Sequence, residues 1–254
     1  MKKLLLLTIA LIAMMAAVWI LLAPGNSGEN PGNMHVYLVE TDEMVRQGDY
    51  SAALERYIWF HHHVLEHDPH MTGVRLSFAL GGWQRLAEVY PPALETMIET
   101  RDQASARLRA GKGNRELFNE VDSFNARLGD DAVTVELFKH LHEAQPRLAE
   151  RVWSVARSKV IAAGEYELAN QYIGNPMHAL AQYRRSYQRS LSWSDDDEEF
   201  EEYNRQYTEN RFVERTLDLM RVYTALGRDD LVEQIGSEAL ETFRDPRIEF
   251  ALEP

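Results

Sequence analysis

From about residue 34 onward, apolar side chains recur three and four positions apart, the spacing of helices with one buried face. No run alternates apolar and polar positions with the β-branched and aromatic enrichment of a strand, so the pattern predicts an all-α chain. Breaks fall near Gly48, Pro69, Pro91-Pro92, Gly111 to Gly113, Gly129, Pro146, Gly164, Gly174 to Pro176, Ser192 to Asp197, Gly227 and Pro246. They leave helices of about 12–20 residues joined by short turns, the geometry of antiparallel helix pairs. One punctuation recurs. Gly48-Asp49-Tyr50, Gly129-Asp130-Asp131, Gly164-Glu165-Tyr166 and Gly227-Arg228-Asp229 each close one apolar segment and open the next, and Gly129 and Gly164 stand 35 residues apart.

These turns and their flanks resemble tetratricopeptide repeats, whose unit of about 34 residues pairs two helices. Gly48-Asp49-Tyr50 with Ala53, Tyr57 and the ending at Pro69 looks like a turn and second helix. In the next unit Phe118, Val121 and Asn125 occupy first-helix places, Phe138 the second-helix aromatic place, and Pro146 closes the unit. Trp153, Ala156 and Val160 lead into Gly164-Glu165-Tyr166 and Ala169, and Leu219, Tyr223, Gly227, Ala239 and Pro246 form a last, weaker unit. Trp83 to Tyr90 matches a first helix, but Pro91-Pro92 stands where the turn belongs. Asp122 and Arg157 replace small residues of the family pattern, Thr134 replaces its alanine and Gly236 its aromatic.

The resemblance implies an α-solenoid of antiparallel helix pairs that holds a protein or peptide, with the inner surface drawn from each first helix. By matched register those positions are Glu116, Asn119 and Ser123, then Arg151, Ser154 and Ser158, then Glu214 and Arg221. Their mixed charges favour a peptide over a lipid.

The first segment sets the compartment. Lys2 and Lys3 precede an uncharged stretch from Leu4 to Ala23, which Pro24-Gly25-Asn26-Ser27-Gly28 ends. As a helix such a stretch spans roughly 30 Å, the thickness of a bilayer core. It is longer than the apolar run of a signal peptide, so an uncleaved anchor is favoured. A signal cut after Gly25-Asn26-Ser27 is the alternative, and would release the chain into the periplasm. With the lysines on the N-terminal side, the positive-inside rule places residues 24–254 outside the cytoplasm, in a bacterium on the outer face of the inner membrane. The expected organisation is an anchor at 1–23, a linker at 24–34, repeats at 35–176, a helix with an acidic linker at 177–209, and a repeat or cap at 210–254.

Charge narrows the partner. A formal net charge of −13 argues against a nucleic-acid backbone, whose phosphates need clustered Lys and Arg. No cysteine is present, which excludes thiol catalysis, disulfides, cysteine-ligated zinc and cysteine lipidation. From Asp195 to Glu202 seven of eight residues are carboxylates, read as a solvated linker opening a helix. It lacks the glycine and alternating ligands of a calcium loop.

Candidate chemistry centres on histidine. His61, His62, His63, His67 and His70 are five of the chain's nine. On a continuous helix His63, His67 and His70 would share one face, and the i, i+4 pair is able to grip zinc, copper or nickel with Glu66 nearby. Against this, Asp68-Pro69 should end the helix before His70, and a surface cluster is the plainer reading. A metal-binding envelope protein is therefore an alternative function, and an unrecognised envelope enzyme a further one. His142-Glu143 lacks the second histidine of a metalloprotease helix, because Pro146 stands in its place. Gly111-Lys112-Gly113 lacks the context of a phosphate loop, and no Gly-x-Ser-x-Gly turn occurs. No cofactor and no catalytic residue are implied. Trp59, Phe60, Trp83 and Trp153 are expected in the core.

Overall fold

The computed structural model describes residues 33–192 and 198–253, and every regular element among them is helical, as the apolar periodicity predicts. The expected anchor at 1–23, nearly all of the linker and Asp195 to Asp197 lie outside the described residues. Among the described residues no helix is long and apolar enough to cross a membrane. The chain divides into two compact units, one ending at Arg75 and the other beginning at Leu76.

In the first unit, α1 (Met34–Gln47) and α2 (Tyr50–His67) pair across the Gly48-Asp49 turn. Asn33 caps α1, its side chain accepting from the His35 N–H at 2.9 Å. Ala53, Tyr57, Phe60 and Val64, at i, i+4, i+7 and i+11, form the buried stripe of α2. α2 stops at His67 because Pro69 disfavours helical backbone at Asp68, which is extended. Asp68 then caps a single 3-10 turn, Pro69–Met71. A π-helical turn, Arg75–Ala79, straddles the division.

The second unit contains α3 (Leu80–Val89), α4 (Pro91–Arg109), α5 (Arg115–Leu128), α6 (Asp131–Ala144), α7 (Pro146–Ala162), α8 (Tyr166–Ile173), α9 (Pro176–Leu191), α10 (Glu198–Ala225), α11 (Asp229–Thr242) and α12 (Pro246–Phe250). From α3 to α7 each helix packs on the next, and α3, α4 and α5 also pack on the next but one. α10 then contacts α7, α8, α9, α11 and α12. Among the described residues, α10 takes part in two apolar cores. Leu108, Phe118, Val121, Phe138, Leu141, Val152 and Val160 lie in one, and Leu180, Phe212, Leu219, Ile235 and Ile248 in the other. α10 serves both, since its Val222 belongs to the first core and its neighbour Tyr223 to the second.

The recurring glycines have a common task. Gly48, Gly129, Gly164 and Gly227 all take positive φ, between 66° and 84°, a region that costs L residues roughly 1–2 kcal/mol. At each, the N–H of the following residue reaches back to a carbonyl five positions before it, which satisfies a last-turn acceptor. The acids that follow do not cap the next helix. Asp130 instead binds Arg101 at 2.9 Å and Glu165 binds Lys139 at 2.9 Å, so both tie neighbouring helices together.

The departures from the repeat pattern have partners as well. Pro91 opens α4 after a single extended residue, Tyr90, so the double proline itself makes the tight turn. Trp83 Nε1 donates across that turn to the Ala93 carbonyl at 3.1 Å. Asp122 pairs with Lys159 at 2.6 Å. The Thr134 hydroxyl accepts from buried Asn125 at 3.0 Å. Gly236 is small because Leu252 lies against it, and a Cβ there would sit 2.7 Å from Leu252 Cδ2. α10 runs 28 residues without glycine or proline, straight through the expected boundary at 209/210.

Candidate partner-binding face

The side chains expected on an inner surface come from α5, α7 and α10. Helix periodicity aims their stretches of chain in common: on α7, Val152, Ala156 and Val160 face the core, and Arg151, Ser154 and Ser158 fall on the exposed side. On α5 the same division leaves Glu116 exposed, with Asn119 and Ser123 half-buried beside Phe118 and Val121. On α10 Glu214 and Arg221 are exposed.

Cross-helix bonds join several of them. Arg115 of α5 donates to the Ser154 hydroxyl of α7 at 3.4 Å. Ser158 of α7 donates to Asp218 Oδ2 of α10 at 3.2 Å, and Arg221 donates to Asp218 Oδ1 at 3.2 Å. Glu214 accepts from Arg247 of α12 at 3.0 Å. Ser123 turns inward on its own helix, donating to the Asn119 carbonyl at 2.7 Å. Glu116 and Arg151 extend from α5 and α7 as solvent-exposed charges. Of the predicted positions, Ser154, Ser158 and Arg221 thus join Arg115 and Asp218 in a polar seam running α5, α7, α10, with Asp218 as its hub, while Glu116, Asn119, Ser123, Arg151 and Glu214 lie outside that set of bonds.

Asp218 was missed in the sequence, although a trace of it is there: one carboxylate inside Leu217-Asp218-Leu219-Met220, a stretch that is otherwise apolar. It is only 7% exposed. Burial raises its carboxyl above the ordinary value of 3.8, against the opposing pull of Arg157, the Ser158 hydrogen bond and Arg221. Arg157 offsets this incompletely because its Nε stands 3.9 Å from Asp218 Oδ2, too far for a hydrogen bond. The Arg157 guanidinium is spent on Tyr183, to whose hydroxyl it donates at 3.0 Å.

Beside the seam lies an open groove of 640 Å³ whose wall includes Leu217, Met220, Arg221, Arg247 and Phe250. Phe250 is 74% exposed there. Arg221 belongs to both features, so a ligand side chain in the groove would lie directly beside the charged seam.

The histidine set does not assemble. His70 sits on the 3-10 turn beyond the end of α2. The rings of His63 and His67 lie against Trp59, with centroids 5.8 Å and 5.3 Å away, and His63 Nδ1 faces Glu66 Oε1 at 3.5 Å. Among the described residues no group of three or more His, Asp or Glu side chains is placed to hold a metal ion. Of the tryptophans and their neighbour expected in the core, Phe60 and Trp83 are fully buried. Trp59 and Trp153 are half-buried, Trp153 stacking on Tyr172 at 5.2 Å.

Compared with known proteins, the chain matches no family model, no curated protein and no solved structure.

Proposed function

We propose that this chain is a membrane-anchored, extracytoplasmic, tetratricopeptide-like α-solenoid that holds a protein or peptide partner and performs no catalysis of its own. The observation that carries this reading is the convergence of side chains from α5, α7 and α10 on one polar seam, bordered by an exposed apolar groove. That combination suits an extended segment: an apolar anchor enters the groove beside Phe250, while the seam hydrogen-bonds the polar chain around it. Packing of helices on the next and the next but one supports the solenoid. The uncharged stretch Leu4 to Ala23 after Lys2 and Lys3 supports the anchor and the outward orientation.

The test is crosslinking in the envelope, detergent solubilisation and purification through this chain. A stoichiometric partner is expected, released by the double variant Arg151→Glu, Phe250→Asp, whose sites are both solvent-exposed. Recovery of nothing above background, or full retention by the variant, refutes the scaffold reading. Separately, protease added to intact spheroplasts should digest the chain, which a cytoplasmic location would prevent.

A further inference from the structure

Between α9 and α10 lies a second cavity, of 150 Å³, and its chemistry is out of keeping with a paired-helix interior. Its floor is apolar, where Tyr187 rests on Phe212 with centroids 5.1 Å apart. Its walls are donors: the hydroxyls of Tyr183 and Ser186 from α9, and Tyr207, Thr208, Arg211 and Arg215 from α10. Tyr207, Arg211 and Arg215 recur every four residues, so they occupy one face of α10.

The charge here is unbalanced. In a chain of net charge −13, neither Arg211 nor Arg215 makes an ion pair or hydrogen bond with any described residue. Nearby Asp218 is taken up by Ser158 and Arg221. Arg157 and Arg215 both hold their guanidinium carbons over the Tyr183 ring, at 5.3 Å and 5.4 Å, which brings a third cation to the same wall. Arg215 feels this crowding: burial first, then Arg211 and Arg157, lower its pKa. Arg211 is exposed, but Arg215 is half-buried, and a half-buried guanidinium with no paired carboxylate is costly unless an anion neutralises it.

We propose that this cavity binds a phosphate group, borne by free phosphate or by a small phosphomonoester. Its volume is that of about five waters, room for one tetrahedral oxyanion, so the remainder of a phosphomonoester would extend out of the cavity. The donor set matches that shape. Two guanidinium forks and several hydroxyls supply more N–H and O–H groups than the two oxygens of a carboxylate accept, whereas the oxygens of phosphate take them all. Arginine rather than lysine at both positions fits bidentate recognition of such a group. The cavity shares none of its six donors with the partner-binding seam, and Arg157 stands between the two, near Asp218 on one side and bonded to Tyr183 on the other.

The full chain in detergent solution is titrated calorimetrically at constant ionic strength with sodium phosphate, with glycerol 3-phosphate and with sodium acetate. Saturable one-site binding of a phosphate probe is expected, with acetate much weaker. Tighter binding of glycerol 3-phosphate assigns the cavity to a phosphomonoester, and tighter binding of inorganic phosphate to the free anion. Arg215→Gln should weaken binding by about tenfold or more, the loss of a charge-assisted bond. Tyr207→Phe, at a site 53% exposed where folding is not at stake, should weaken it severalfold. No saturation by roughly 10 mM phosphate, equal affinity for acetate, or binding unchanged in both variants overturns the proposal.

Discussion

Asn125 offers the sharpest test of how the helices of the second unit are held in register. It is fully buried, and its side chain bridges three helices. Its Oδ1 accepts from Arg101 Nη1 of α4 at 3.0 Å, and its Nδ2 donates to the Thr134 hydroxyl of α6 at 3.0 Å. Substitution by alanine deletes both bonds at once. A hydrogen bond to a charged group contributes about 1.5–3 kcal/mol and a neutral one about 0.5–1.5 kcal/mol. Arg101 keeps Asp130 at 2.9 Å and Asp102 at 2.6 Å, so the charged bond belongs at the low end of its range. Asn125→Ala should therefore destabilise by about 2–3 kcal/mol, and Thr134→Val, which removes the neutral bond alone, by about 1 kcal/mol. Because the two changes share one bond, the double variant should fall short of their sum by about 1 kcal/mol. Guanidinium denaturation followed by far-ultraviolet circular dichroism measures all three. A cost for Thr134→Val equal to that of Asn125→Ala would show that the Arg101 bond carries no weight, and strict additivity would show that the Asn125–Thr134 bond carries none; either result refutes the bridging account.

Four further outcomes are expected. Gly129→Ala should cost about 1–2 kcal/mol in the same assay from backbone strain alone, since φ is 73° and nothing lies within 4 Å of the added Cβ; a change near zero would contradict this. Gly236→Ala should destabilise for a different reason, overlap with Leu252, so adding Leu252→Ala should recover part of the loss, whereas no recovery would place the strain elsewhere. Lys159→Met leaves Asp122, 17% exposed, without its partner at 2.6 Å and should cost about 2 kcal/mol, with a smaller penalty once Asp122→Ala is added. For Asp218 the folded carboxyl titrates above the ordinary 3.8, so between those two values the folded chain holds more proton and its stability falls as pH rises. Denaturation midpoints across that window should fall less steeply in Asp218→Asn than in the unaltered protein; parallel slopes would show that Asp218 is not the titrating group.

Much of the local structure was legible because it is written in short-range rules. The turn at Gly129 follows from a backbone conformation that other residues avoid, and the start of α4 at Pro91 from a ring that suits a first helical position. The end of α2 before Pro69 follows likewise, and with it the separation of His70 from His63 and His67. Of the candidate face, the exposed side of α7 was visible in the spacing of Val152, Ala156 and Val160. What escaped were contacts far apart in sequence. Ser158 meets Asp218 across 60 positions, and Arg157 meets Tyr183 across 26. Neither pair carries a spacing rule, because the meeting depends on how far one helix slides along another.

The sequence by itself determined that the chain is helical, where its helices begin and end, and which side of each is apolar, since backbone sterics and periodic burial act within a few residues. Only the tertiary structure decided which polar residues became partners. Packing at the first core brings Val160 of α7 and Val222 of α10 into one cluster, and packing at the second does the same for Leu180 of α9 and Phe212 of α10. Once those contacts set the register, Asp218 lies between Ser158 and Arg221, and Arg211 and Arg215 line a donor-rich cavity with no described carboxylate paired to either.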